Sequence, residues 1–119
     1  MEKLIERYKS FLDKGKTERE CVKEVIKIAE KEGYRNLDSV STLSPGDKVY
    51  VEEYGKAIAL YHIGKGDMEK GMNVLGAHID SPRLDIKMKP LYESDGIVYL
   101  DTHYYGGIKK YQYVTIPLA

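Results

Sequence analysis

The sequence has one cysteine, no tryptophan and no excess of charge of either sign. Because an internal disulfide needs two cysteines, the chain cannot form one. The place of Cys21 in a predicted helix favours a reduced, partly buried thiol. Lys and Arg together number 19, as do Asp and Glu, so the formal net charge is zero. This balance gives no electrostatic basis for binding nucleic acid or a membrane surface.

The sequence also lacks long apolar runs. None approaches the roughly 18 residues that a membrane-spanning helix needs. The first residues, which include Glu2, Lys3, Glu6 and Arg7, are too highly charged to resemble a secretory signal peptide. The expected location is therefore the cytoplasm. A length of 119 residues suits one domain with its own core.

The first third of the chain predicts two amphipathic helices. Apolar residues recur with helical spacing from Leu4 to Leu12, and this helix should end near Lys14-Gly15. Thr17-Glu18-Arg19-Glu20 is a capping-box pattern that begins a second helix, which should run up to Gly33. Both apolar stripes favour core packing over binding of a partner.

Strand patterns follow a turn signal at residues 44–47. Val49 to Tyr54 predicts an edge strand, and Gly55-Lys56 predicts a tight turn. The continuous apolar run from Ala57 to Ile63 is typical of a strand that is covered on both faces.

The second half of the chain predicts a hairpin and one more strand. Leu84, Ile86 and Met88 alternate with charged residues, and Glu93-Ser94-Asp95-Gly96 should turn the chain into a partner strand at residues 97–100. Alternation at residues 111–118 predicts a last strand that runs into the C-terminus at Ala119. This apolar ending is expected of a chain that is cut inside a sheet.

The stretch Gly76-Ala77-His78-Ile79-Asp80-Ser81-Pro82 carries the candidate chemistry. Residues two apart on a strand point to the same side, so His78 and Asp80 should share a face at a strand end. A neutral imidazole binds a metal through one ring nitrogen and needs an acceptor for its other N–H. Asp80 is placed either to hold that N–H or to orient a metal-bound water. Ser81-Pro82 should then end the strand.

The other two histidines are weaker candidates. His62 lies inside the apolar run, which favours a core or sheet residue over a ligand. His103 lies among tyrosines without a carboxylate at a useful spacing, which favours a surface or loop residue. The glycines at residues 64–71 lack the spacing of a phosphate-binding loop and favour a flexible connection.

The segment from His78 to Pro90 resembles the first metal-binding segment of the aspartyl aminopeptidase and aminopeptidase I family. That segment reads as His, a small or branched residue, Asp-Ser-Pro, then Leu-x-hydrophobic-Lys-x-x-Pro. Tyr105-Gly106-Gly107-Ile108 resembles the family's second landmark, a Tyr-Gly-Gly stretch. Related zinc exopeptidases share only the His-x-Asp, so the two longer features select this family. The resemblance corresponds to about the first quarter of a member.

The resemblance implies an α/β catalytic domain that is interrupted by an inserted β-rich dimerisation domain. This chain, α+β in itself, would supply the N-terminal part of the catalytic domain with residues 1–82. Residues 83–119 would be the incomplete start of the inserted domain. The resemblance also implies two zinc ions, with His78 as a ligand and Asp80 fixing its orientation, peptide substrates, and a homo-oligomer at full length. The family's other ligands would lie beyond residue 119.

After Ile108 the sequence departs from the family's commoner form. Many members have W-x-x-W/F-x-D-R there, whereas this chain has Lys109-Lys110-Tyr111-Gln112-Tyr113. A preference for acidic N-terminal residues and a broader specificity therefore both stay open. The main hypothesis is the N-terminal portion of a zinc-dependent aminopeptidase, which should be inactive as an isolated fragment. The alternative is a stand-alone, non-catalytic α+β binding or assembly module.

Overall fold

The computed structural model describes residues 2–117, with the side chain of Tyr113 excepted. The chain divides into two compact units, Met1–Asp80 and Ser81–Ala119. The first contains two helices and a small sheet, and the second contains a hairpin and a short helix, which confirms the α+β class. The elements are α1 (Glu2–Lys14), α2 (Glu18–Lys31), β1 (Arg35–Asn36), β2 (Lys48–Glu53), β3 (Ala57–His62), β4 (Arg83–Ser94), β5 (Ile97–Tyr105) and α3 (Lys110–Tyr113).

The capping box that begins α2 is present as the sequence predicts. The Thr17 hydroxyl accepts the backbone N–H of Glu20, and the Glu20 carboxylate accepts the backbone N–H of Thr17 at 2.9 Å. Both contacts satisfy N–H groups that the first turn of a helix leaves without partners. The two predicted helices are therefore confirmed, and α1 ends at Lys14.

The core of the first unit lies between α2 and β2. Cys21, Val22 and Ala29 of α2 are buried, as are Val49 and Tyr50 of β2. None of the residues of α1 is buried. The predicted core packing is thus confirmed for α2. It is wrong for most of the α1 stripe, where Phe11 is half-buried and the other apolar residues, Leu4, Ile5, Tyr8 and Leu12, are exposed.

The sheet of the first unit has the order β1-β2-β3. β1 pairs with β2 in parallel, and β2 pairs with β3 in antiparallel register from Lys48 opposite His62 to Glu53 opposite Ala57. β2 is therefore the central strand, and the prediction of an edge strand there is wrong. The predicted coverage of β3 on both faces is also wrong, since most of β3 is exposed.

The turn between β2 and β3 is tied to the start of α2. Tyr54 and Gly55 both have positive φ, and the Lys56 N–H donates to the Glu53 carbonyl at 2.9 Å. Arg19 of α2 donates from Nη1 to the Tyr54 carbonyl at 2.7 Å. The predicted tight turn is confirmed, and the hydrogen bond from Arg19 connects this turn to α2.

The second unit is built on the hairpin of β4 and β5, which confirms the predicted hairpin. Asp95 and Gly96 have φ values of 55° and 76°, as a two-residue turn with left-handed backbone requires. The register shifts between Ile86 and Leu91. Pro90 lies in this irregular stretch and has no N–H to donate to the ladder, which accounts for a bulge at this position.

The predicted last strand is wrong where the structure describes it. Lys110–Tyr113 form the short helix α3 instead, while Leu118 and Ala119 lie outside the described residues. Alternating apolar residues form a strand only where a neighbouring strand pairs with them, and no described strand pairs with residues 111–117. Across residues 2–117, no helix has the length and apolar character that crossing a bilayer requires.

Candidate metal centre

His78 lies on a stretch without regular secondary structure. Residues 71–82 form no strand, so the predicted strand ending at His78 is wrong. The apolar residues that suggested it are highly exposed, with Val74 at 79% and Leu75 at 100%. A strand needs a neighbour for its backbone hydrogen bonds, and none of the described strands pairs with this segment.

The structure nevertheless brings His78 and Asp80 into contact. The ring Nδ1 of His78 lies 3.0 Å from the carboxylate Oδ1 of Asp80 and 3.0 Å from its backbone carbonyl oxygen. Both partners are acceptors, so Nδ1 must carry the proton and donate it. The lone pair of the neutral ring is then on Nε2. The side chain of His78 is 81% exposed, which leaves this nitrogen accessible to a ligand.

This pair has the chemistry of one zinc ligand together with the acceptor that orients it. Zinc sites take neutral imidazole nitrogens as ligands, and a carboxylate on the other ring nitrogen fixes the tautomer. A catalytic zinc needs about three protein ligands. Among the described residues, no group of three or more His, Cys, Asp and Glu side chains is placed to hold a metal ion. Among the described residues, His78 and Asp80 therefore do not by themselves make up such a ligand set.

The other two histidines are on strands and away from this pair in the chain. His62 is the last residue of β3, exposed and opposite Lys48, so its prediction as a sheet residue is confirmed. His103 lies on β5, exposed and stacked on Tyr104 with ring centroids 5.6 Å apart. The hairpin register also places His103 opposite Asp85, a carboxylate that the linear spacing did not reveal.

Two sequence landmarks that are distant in the chain meet at the base of the hairpin. Arg83 is paired with Tyr105, and its guanidinium carbon lies 4.6 Å from the centroid of the tyrosine ring. Gly106 packs directly on Pro82: a Cβ placed on this glycine would lie 3.3 Å from the proline Cα. Pro82 and Arg83 thus contact Gly106 and Tyr105, which sequence reasoning missed.

The cysteine is separate from the metal chemistry. Cys21 is buried, and its thiol contacts the Gly15 carbonyl oxygen at 3.4 Å. Burial, with further contributions from Glu20 and Glu18, raises the pKa of this thiol above its ordinary value. A protonated thiol is a poor nucleophile and a poor metal ligand. The prediction of a reduced, partly buried thiol is therefore supported, and the burial is nearly complete.

Comparison with known proteins agrees with the resemblance stated from the sequence. A protein of Clostridium acetobutylicum named "Probable M18 family aminopeptidase 1" is 56% identical over 120 residues, which are 98% of this chain and 26% of that protein. The crystal structure of aminopeptidase I from Borrelia burgdorferi matches with a TM-score of 0.82 and 39% identity, over 98% of this chain and 30% of that one.

A third comparison, with the crystal structure of the M18 aminopeptidase of Thermotoga maritima, gives a TM-score of 0.82 and 43% identity over 98% of this chain. The match covers 26% of that chain, so this chain spans about a quarter of the length of these relatives. The family described as "Aminopeptidase I zinc metalloprotease (M18)" matches at residues 11–119. This chain therefore belongs to the M18 family of aminopeptidase I zinc metalloproteases.

Proposed function

We propose that this chain is the N-terminal portion of a zinc-dependent aminopeptidase, a hydrolase that removes the first residue from peptides. The observation that carries the proposal is the His78 ring, whose Nδ1–H is held at 3.0 Å by Asp80 while Nε2 is left for a metal. Membership of a family of zinc metalloproteases makes zinc the metal of choice.

The residues present fit one part of a zinc site. His78 would bind the ion through Nε2, and Asp80 would hold the ring in that orientation through its carboxylate Oδ1 and its backbone carbonyl oxygen. Zinc supplies Lewis acidity to a hydrolytic site of this kind. We propose two ions in the complete enzyme, with the remaining ligands supplied by residues beyond 119. The isolated chain is then inactive.

The proposed domain organisation follows the same family pattern. Residues 1–82 are assigned to the catalytic domain and residues 83–119 to the start of an inserted dimerisation domain. Exposed apolar side chains on the hairpin support an interface there: Leu91 is paired with Leu100, and these are 69% and 51% exposed. The full-length enzyme is accordingly proposed to be a cytoplasmic homo-oligomer that acts on peptides.

A chimera provides the direct test of this function. The matching 26% of the Clostridium acetobutylicum relative is replaced by this chain, and aminopeptidase activity and zinc content are measured beside the unaltered relative. The chimera should hydrolyse aminoacyl substrates. His78→Ala should remove activity and lower the zinc content, because the neighbouring side chains cannot replace an imidazole ligand.

Two matched histidine variants control for the loss of an imidazole elsewhere. His62→Gln and His103→Gln should both leave zinc content and activity close to those of the unaltered chimera. A large loss of zinc in either would show that His78 is the wrong histidine. A folded chimera that assembles like the parent but binds no zinc would favour the alternative, a non-catalytic binding or assembly module.

A further inference from the structure

The apolar stripe of α1, which consists of Leu4, Ile5, Tyr8, Phe11 and Leu12, is exposed along most of its length. Leu4 is 68% exposed, and Tyr8, four residues from both Leu4 and Leu12, is 61% exposed. Only Phe11 in the stripe is half-buried. A helix of 13 residues is marginally stable alone in water, and helices in proteins depend mainly on packing of their apolar face. The stripe therefore indicates a surface that another part of a protein covers.

The C-terminal end of α1 is attached to the buried part of the first unit. Gly15, just after the helix, is buried, and its N–H donates to the Phe11 carbonyl at 2.8 Å. The Gly15 carbonyl oxygen contacts the buried thiol of Cys21, in the first turn of α2, at 3.4 Å. The stripe thus belongs to a helix whose end packs on α2.

We propose that the α1 stripe is a docking surface for the part of the full-length enzyme beyond residue 119, an assignment that rests on the proposed function. The match with the Borrelia burgdorferi structure covers 98% of this chain, so it includes most of α1. It covers only 30% of that chain. The counterpart of α1 therefore belongs to a protein with ample further chain to cover an apolar stripe.

The width of the stripe favours a folded domain over a second copy of α1 as the partner. Leu4 and Ile5 are adjacent, as are Phe11 and Leu12. The stripe is therefore broader than a coiled-coil seam, which uses two positions in seven. A broad stripe is typical of a helix that packs on the core of a globular protein.

The opposite face of α1 favours a protein partner over a membrane. A helix that lies on a membrane is rich in Lys and Arg on its polar face. The polar face of α1 carries both signs, with Glu6 and Asp13 among its lysines. Lys9 donates to the Glu6 carboxylate at 2.9 Å, so part of its positive charge is already balanced within the helix.

Thiol labelling measures whether the stripe is covered, with the labelled peptides identified by mass spectrometry. Tyr8→Cys places a reactive group in the middle of the stripe. Ser10→Cys is the matched control, because Ser10 is also exposed and residues two apart on a helix do not share a face. The native Cys21 is buried and serves as the internal reference for a protected thiol.

The comparison is between the 119-residue chain, at a concentration where it is monomeric, and the chimera. Both introduced cysteines should react at similar rates in the 119-residue chain. In the chimera, Tyr8→Cys should react about tenfold more slowly or less, because a covered site reacts only when the structure opens locally. Ser10→Cys should react at the same rate in both proteins.

Hydrogen exchange needs no substitution and decides the question if the Tyr8→Cys chimera does not fold. The α1 amides should exchange more slowly in the unaltered chimera than in the 119-residue chain. Equal exchange in the two proteins, or equal labelling of Tyr8→Cys, would overturn the proposal.

Two other occupants give distinct results, and either result would overturn the proposal. Protection in the chimera that disappears when dilution separates its protomers would assign the stripe to a second copy. Protection of the 119-residue chain by anionic phospholipid vesicles, without protection in the chimera, would assign it to a membrane. A chimera that protects Tyr8→Cys but binds no zinc would support the docking surface and refute the proposed function. An active chimera with an unprotected Tyr8→Cys would refute the docking surface alone.

Discussion

Replacing Asp80 by asparagine separates the charge of its carboxylate from its role as a hydrogen-bond acceptor. The Asp80 backbone carbonyl, 3.0 Å from the His78 Nδ1, is unchanged by Asp80→Asn. An asparagine Oδ1 also accepts a hydrogen bond from nearly the same position as the carboxylate oxygen. The tautomer of His78 should therefore survive, and the variant should lose only the negative charge beside the ring.

The size of the expected loss follows from these contacts. Removing the partner of a metal-binding histidine typically costs about 10- to 100-fold in metal affinity or activity. The Asp80 side chain is 44% exposed, so solvent screens its charge, and one acceptor remains. We expect Asp80→Asn to lower kcat/KM of the chimera about tenfold, which is about 1.4 kcal/mol. Asp80→Ala, which removes the acceptor as well, should approach the upper end of that range.

Activity and zinc affinity are measured together on the chimera, with His78→Ala as the reference for loss of a ligand. Asp80→Asn should retain more zinc than His78→Ala. Equal losses in the two variants would show that Asp80 itself binds metal or moves the reacting proton. Unchanged kcat/KM and zinc affinity in Asp80→Asn would show that the contact with His78 has no part in the site.

Three further results are expected. The 119-residue chain alone should hydrolyse no aminoacyl substrate, bind zinc weakly and self-associate through exposed apolar residues. Metal analysis and size-exclusion chromatography test the last two expectations. A stoichiometric, tightly bound zinc on a monomer would contradict them. Thr17→Ala should lower the free energy of unfolding by about 1 kcal/mol in thermal denaturation, because it removes the cap of α2. Burial raises the pKa of the Cys21 thiol in the folded protein. The stability that this shift contributes is complete below the pKa of the thiol in the unfolded chain, about 8.5, and is lost as pH rises through its pKa in the folded protein. Cys21→Ala should lack that part of the pH dependence.

The features that the sequence predicted correctly depend on neighbours in the chain. The capping box involves residues three apart, and the hairpin turn at Asp95-Gly96 depends on two residues that tolerate positive φ. The contact of His78 with Asp80 likewise needs only a spacing of two, and it forms although the expected strand does not. Short-range geometry alone determined each of these features.

The incorrect predictions concern partners that are distant in the sequence. β1 consists of Arg35 and Asn36, which carry no strand pattern, yet their pairing makes β2 a central strand. The apolar run before His78 suggested a strand, but a strand also needs a neighbour to accept its backbone hydrogen bonds. The packing of Gly106 on Pro82 depends on the hairpin register, which no local pattern contains.

The small sheet of the first unit joins two kinds of pairing with different kinetics. β2 and β3 are connected by a turn of three residues, so their ladder requires only a short loop to close, and hairpins form in about 1–10 μs. The parallel pair of β1 and β2 closes a longer loop for only two residue pairs, Arg35 with Val49 and Asn36 with Tyr50. We therefore expect the β2–β3 hairpin to form before β1 joins it. In hydrogen exchange, the amides of β1 should be the first of this sheet to lose protection.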